Sequence, residues 1–89
     1  MAASNADYPI RPVPFTDVRV EDAFWGPRLD TNRIRTIPAL FENAERTGRL
    51  DNFRIAGGLK PGRFRGRRYD DSDVFKAMEA AAYSLRVYP

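Results

Sequence analysis

The sequence predicts a mainly α-helical chain with one short β-strand near its N-terminus, and three observations carry that prediction. Ile37, Leu40, Phe41 and Ala44 recur at helical spacing. Val74, Phe75, Met78, Ala81, Ala82 and Leu85 do the same further on and form a broad apolar stripe. Phe15–Val20 (FTDVRV) instead alternates, with Val18 and Val20 on one face and Asp17 and Arg19 on the other, as a half-buried strand does.

Taken in order, residues 1–14 carry Pro9, Pro12 and Pro14 among small polar residues and read as an extended arm. Residues 15–89 read as the start of a larger, mostly helical domain. The strand Phe15–Val20 needs a pairing partner, and no second strand is evident in the sequence. Residues 21–48 read as helix, with Pro27 tolerated in a first turn and Gly48 placed just past the end. Pro38 divides it: either Thr36 caps a fresh helix or the chain continues as one kinked helix. From Arg49 to Tyr69, the glycines at 57, 58, 62 and 66 and Pro61 predict an irregular loop anchored at its start by Leu50, Phe53 and Ile55. Asp71 or Ser72 then caps a last helix. The side of that helix bearing Ala77, Ala80 and Tyr83 is only weakly polar, so it expects neighbours on more than one side.

Composition removes several chemistries. The 89 residues include no cysteine and no histidine, so disulfides, thiolate or imidazole metal sites and the nucleophile–base triads have no candidates. Acid–base work is left to carboxylates, Lys60, Lys76, tyrosines and arginines. A chain of this length buries only about 60% of the surface its unfolded form exposes, which predicts a thin core. No basic region followed by an apolar run marks a secretory signal and no stretch suits a membrane span, so the expected location is cytoplasmic.

The net charge of +3 is concentrated in Lys60–Arg68 (KPGRFRGRR), which holds five basic residues; elsewhere ten basic residues face twelve acidic ones. Arginine, glycine and an aromatic together suit phosphate contacts and base stacking, so one reading is a small basic module that binds RNA or an acidic partner. Against it, Asp70, Asp71 and Asp73 follow at once, and local pairing of Arg67 and Arg68 with Asp70 and Asp71 would cancel much of the field. Helix capping accounts for these aspartates better than calcium binding, which requires a longer, regular set of oxygen ligands. Asp73, Lys76 and Glu79 stand at i, i+3 spacing and suit an ion-pair ladder. GGLKPG lacks the spacing of a phosphate-binding loop. Trp25 reads as a core anchor at a helix start rather than as a sugar-stacking platform.

Three segments in a fixed order resemble one family. PVPFTDVRVEDAFWGPRLDTNR, then RTGRLDNFRIAGG, then GRFRGRRYDDSDVFKAMEAAAYSL are similar to the start of the family 127 glycoside hydrolases, the β-L-arabinofuranosidase-type proteins. The likeness runs from Pro12 onward and is most specific at Tyr69–Lys76 followed by Glu79 and Ala80. Ala77 departs from the pattern, which commonly has a bulky residue, often tryptophan, after the lysine. The resemblance implies a much longer parent protein with an (α/α)6-barrel catalytic domain and β-sandwich domains. The helices here would be the first of the barrel, and the strand would join a sandwich. It implies retaining release of a terminal L-arabinofuranose by a zinc-bound cysteine thiolate aided by a glutamate, with ligands far beyond these residues. No catalytic residue and no metal ligand therefore maps onto this chain, and zinc is expected only in the full-length family. What maps is the aspartate-rich motif: Asp71, Ser72, Asp73 and Lys76 are expected to approach the sugar site. A chain of 89 residues is expected to be inactive alone, to meet sugar only within a complete hydrolase, and to dock on the remainder of one.

Overall fold

A computed structural model of the chain describes residues 9–89. Of the extended arm expected over residues 1–14, residues 1–8 lie outside the described residues, and 9–14 form no helix or strand. The described residues form three helical runs and contain no β-strand. The first run is continuous from α1 (Trp25–Thr31) through a π-helical segment (Asn32–Thr36) into α2 (Ile37–Arg46). The second is α3 (Arg49–Ala56) and the third is α4 (Asp70–Val87).

The expected strand over Phe15–Val20 does not form. Phe15–Asp17 is a single 3-10 turn, closed by the Asp17 N–H on the Pro14 carbonyl at 2.9 Å and the Val18 N–H on that of Phe15 at 3.2 Å. Pro14 directs the chain into this turn, and the extended backbone that resumes at Val18 meets no strand among the described residues to complete a ladder. The segment is attached by a side chain instead: the Phe15 ring meets Tyr83 of α4 edge-on, with centroids 5.0 Å apart.

The start of α1 depends on Asp22, whose Oδ1 accepts the N–H groups of Phe24 (3.0 Å), Trp25 and Gly26 (3.2 Å). Three of the donors that a helix start leaves unpaired are thereby satisfied. Trp25 is not the core anchor expected; it stays exposed and packs edge-on against Phe24. Pro38 neither ends the helix nor makes Thr36 a cap, since Thr36 has helical dihedrals and no capping bond. The ladder widens just before it: the Ile37 N–H bonds to the Asn32 carbonyl, five residues back. A π turn is one of the few ways a helix accommodates a proline ring and its missing donor without breaking.

Gly48 is in the left-handed region (φ +83°), which ends α2 as expected and turns the chain directly into α3. Helix α3 replaces the irregular path expected after Arg49. It has little apolar periodicity; the Phe53 ring meets Phe75 of α4 edge-on with centroids 5.4 Å apart, and polar contacts supply the other restraints. Asn52 is buried and bonds the backbone of Arg65 in the following loop, donating from Nδ2 to its carbonyl at 2.8 Å and accepting its N–H on Oδ1 at 3.0 Å. Arg54 forks onto Glu45 of α2 with two bonds of 2.6 Å and reaches Asp51 at 2.8 Å.

The apolar centre is small: where α2 packs on α4, Ile37 and Ala44 of the first and Val74 and Ala77 of the second are buried, and no large side chain is fully buried. Small residues on both helices let α2 and α4 approach. Ala77, placed by its spacing on the weaker side of α4, is thus a core residue, whereas Phe75, Met78 and Leu85 of the apolar stripe are each more than half exposed. The Cα radius of gyration is 17.8 Å, against about 12 Å for a compact chain of this length. The segment before α1 contributes to that excess, and on α4 Phe75, Met78 and Leu85 remain largely uncovered.

Candidate functional site

The aspartate-rich motif enters α4 at its N-terminal turn, where carboxylates are favoured by the unpaired N–H groups and the helix dipole. Neither Asp71 nor Ser72 is the cap. Tyr69 occupies the boundary position and makes no capping bond, while Asp70, Asp71 and Asp73 lie inside the first turn. Asp70 closes the loop against the helix: its Oδ2 accepts the Arg67 N–H at 2.9 Å, and its own N–H bonds the Arg67 carbonyl at 2.9 Å. Gly66 permits this, because at φ +98° it adopts a backbone that side-chain-bearing residues rarely take, and a Cβ there would collide with the Asp70 carboxylate.

Arg49, at the start of α3, is the central cation. Its Nη2 lies 3.3 Å from Asp70 Oδ1, and its Nε lies 3.3 Å from Asp73 Oδ2, the latter within ion-pair distance but not aligned as a hydrogen bond. The pairing expected between Arg67–Arg68 and Asp70–Asp71 is thus replaced by one from Arg49. The Arg67 guanidinium instead donates to the Tyr69 hydroxyl at 2.6 Å. Asp73 joins Arg49 rather than a ladder with Lys76 and Glu79.

A cleft of about 310 Å³ lies between α2 and α4. Leu40, Ala44 and Ala77 form its apolar floor, and Asn43, Thr47, Arg49, Asp73 and Lys76 supply polar groups at its edge. Of the four site residues expected from the sequence, Asp73 and Lys76 border this cleft; Asp71 and Ser72 do not. Ser72 is exposed and donates its hydroxyl to the Tyr69 carbonyl at 2.8 Å. Asp71 has one carboxylate oxygen buried without a hydrogen-bond partner. Arg49, Asn43 and Thr47 were not singled out by sequence. Their signal lies in the short α2–α3 turn, where Thr47 Oγ1 donates to the Asn43 carbonyl at 2.7 Å and accepts from Arg49 Nη1 at 2.8 Å.

The residues present do not fit a zinc site. Cysteine and histidine are absent from the chain, and among the described residues no three carboxylates converge as a metal site would require. No helix among the described residues is long and apolar enough to cross a membrane. No protein-family model, curated protein or solved structure matches the chain.

Proposed function

We propose that this chain is the N-terminal portion of a glycoside hydrolase of the β-L-arabinofuranosidase type and contributes helices that other helices of an (α/α)6 barrel complete. The observation that carries this reading is the uncovered apolar face of α4, with Phe75, Met78 and Leu85 exposed beside a core of four small or medium side chains. A helix that is apolar around most of its circumference is ordinarily buried on several sides. The motif Tyr69–Lys76 supports the family assignment, and the cleft edged by Asp73, Lys76, Arg49 and Asn43 offers the mixed acceptors and donors that sugar hydroxyls require. Asp71, with a buried and unpartnered carboxylate oxygen outside the cleft, offers an acceptor to a group of a neighbouring helix.

In this reading the chain alone does not hydrolyse; the retaining release of L-arabinofuranose, with its zinc-bound thiolate, belongs to the remainder of the protein. The reading includes a cytoplasmic location. It is tested by adding the chain to a family 127 hydrolase from which the corresponding N-terminal segment has been deleted, and assaying an aryl β-L-arabinofuranoside. Hydrolysis should return with the native chain and fail with Phe75→Glu/Met78→Glu. No docking and no recovered activity would contradict the reading.

A second reading, the basic interaction module, has one observation in its favour: among the described residues Arg63, Arg65 and Arg68 make no ion pair. It predicts RNA binding through Lys60–Arg68 that weakens steeply with salt.

A further inference from the structure

The Lys60–Arg68 loop and the turn between α2 and α3 enclose a second cleft, of about 340 Å³, whose lining includes neither Arg49 nor Asp70. Arg46, Lys60, Arg63 and Arg65 line it, against the single carboxylate of Asp51. That carboxylate is already committed to Lys60 Nζ at 2.8 Å and Arg54 Nη1 at 2.8 Å. Arg46 donates to the neutral amide oxygen of Asn43 at 2.8 Å, and among the described residues Arg46, Arg63 and Arg65 have no acidic partner within ion-pair distance.

Like charges gathered around so small a space repel one another, so the loop has to be held there by other means. Two restraints do this without neutralising the three arginines. Asn52 clasps the Arg65 backbone through two hydrogen bonds that involve no charge, and the Lys60–Asp51 pair fixes the loop's entrance. The clasp fixes the backbone from which Arg65 projects, so an anion entering the cleft has side chains rather than the loop to order.

We propose that this cleft binds a small phosphate-bearing ligand, whose oxygens accept charge-assisted hydrogen bonds from Arg46, Arg63 and Arg65. Guanidinium groups suit phosphate because their donors lie in a fixed fork. The cleft's volume is that of a compact-ligand pocket. The inference depends only on these residues and holds or fails separately from the hydrolase reading.

Inorganic pyrophosphate is the probe, titrated into the full 89-residue chain at constant ionic strength and followed through the amide resonances of Gly48, Gly62 and Arg65. A saturable shift is expected that weakens as salt is raised. Arg63→Gln/Arg65→Gln should weaken binding about tenfold or more. The clasp uses only the backbone of Arg65, so this variant keeps the loop, and an unchanged helical circular dichroism spectrum checks that. Asn52→Ala keeps every charge and frees the loop, and it should weaken binding as well. Arg11→Gln/Arg19→Gln removes two charges outside the cleft and should leave binding unchanged. The proposal is overturned by absence of saturation, by equal affinity in Arg63→Gln/Arg65→Gln, or by tighter binding of single-stranded RNA with shifts extending along Arg67 and Arg68.

Discussion

The carboxamide of Asn52 grips the backbone of Arg65 on both sides, giving a 2.8 Å bond to its carbonyl and taking a 3.0 Å bond from its N–H. Thirteen residues separate the two, and the pair fixes the long loop between α3 and α4 through hydrogen bonds that involve no charge. Asn52→Ala would leave two backbone groups unpaired, and the expected loss of stability is about 1–3 kcal/mol. Asn52→Asp keeps the acceptor but sets a carboxylate oxygen against the Arg65 carbonyl in a buried site, so it should cost at least as much. Urea unfolding followed by circular dichroism measures both.

Gly66 and Gly26 should respond in opposite ways to the same substitution. Gly66→Ala places a Cβ against the Asp70 carboxylate at φ +98°, and a cost of roughly 1–3 kcal/mol is expected for the strain. Gly26 lies in α1 at an ordinary helical φ with open space around it, so Gly26→Ala should stabilise by about 0.4–1 kcal/mol. Thermal unfolding of the two variants side by side distinguishes them.

Arg49 is the one side chain that ties α3 to both Asp70 and Asp73 of α4. Asp70 is buried, so Arg49→Ala strands its charge and should cost about 1–3 kcal/mol. The Asp73 side chain is half exposed, and Asp73→Asn should cost under about 1 kcal/mol. A larger loss for Asp73→Asn than for Arg49→Ala would contradict this ranking.

Acid should loosen the contact between α2 and α3. The hydrogen bonds from Arg54 hold Glu45 below its usual value of 4.5. Those from Lys60, and then Arg54, hold Asp51 below 3.8. Both folded-state values are depressed, so their contribution is fully present above the usual values and is lost as pH falls through the lowered ones. The groups are partly exposed, and salt should reduce the effect. Melting temperature against pH, for the native chain and Arg54→Gln, should show a steeper fall below about pH 4.5 in the native chain.

The helices with apolar periodicity were legible in the sequence, and those held by polar contacts were not. Ile37 and Ala44 of α2 and Val74 of α4 followed from spacing, and Gly48 marked the end of α2 as expected. Helix α3 was hidden because Asn52, Arg54 and Asp51 fix it, and their partners at Arg65, Glu45 and Lys60 are remote in sequence. The alternation of Phe15–Val20 was misleading because period-two spacing reports which faces differ, not whether a partner strand exists. Of the residues singled out by the motif, Asp73 and Lys76 border the cleft and Asp71 and Ser72 do not. Arg49 was missed because its role depends on how tightly α2 turns into α3.

The central claim is that these helices need further helices to complete their core. Its most direct test is the slope of urea unfolding of the 89-residue chain, followed by circular dichroism. A shallow but measurable helical transition, with a slope below about 1 kcal/mol per molar urea and a midpoint that the variants above shift, is the expected result, because little apolar surface is exposed on unfolding. A single steep transition, with the slope of an ordinary small domain and no dependence on an added partner, would contradict it.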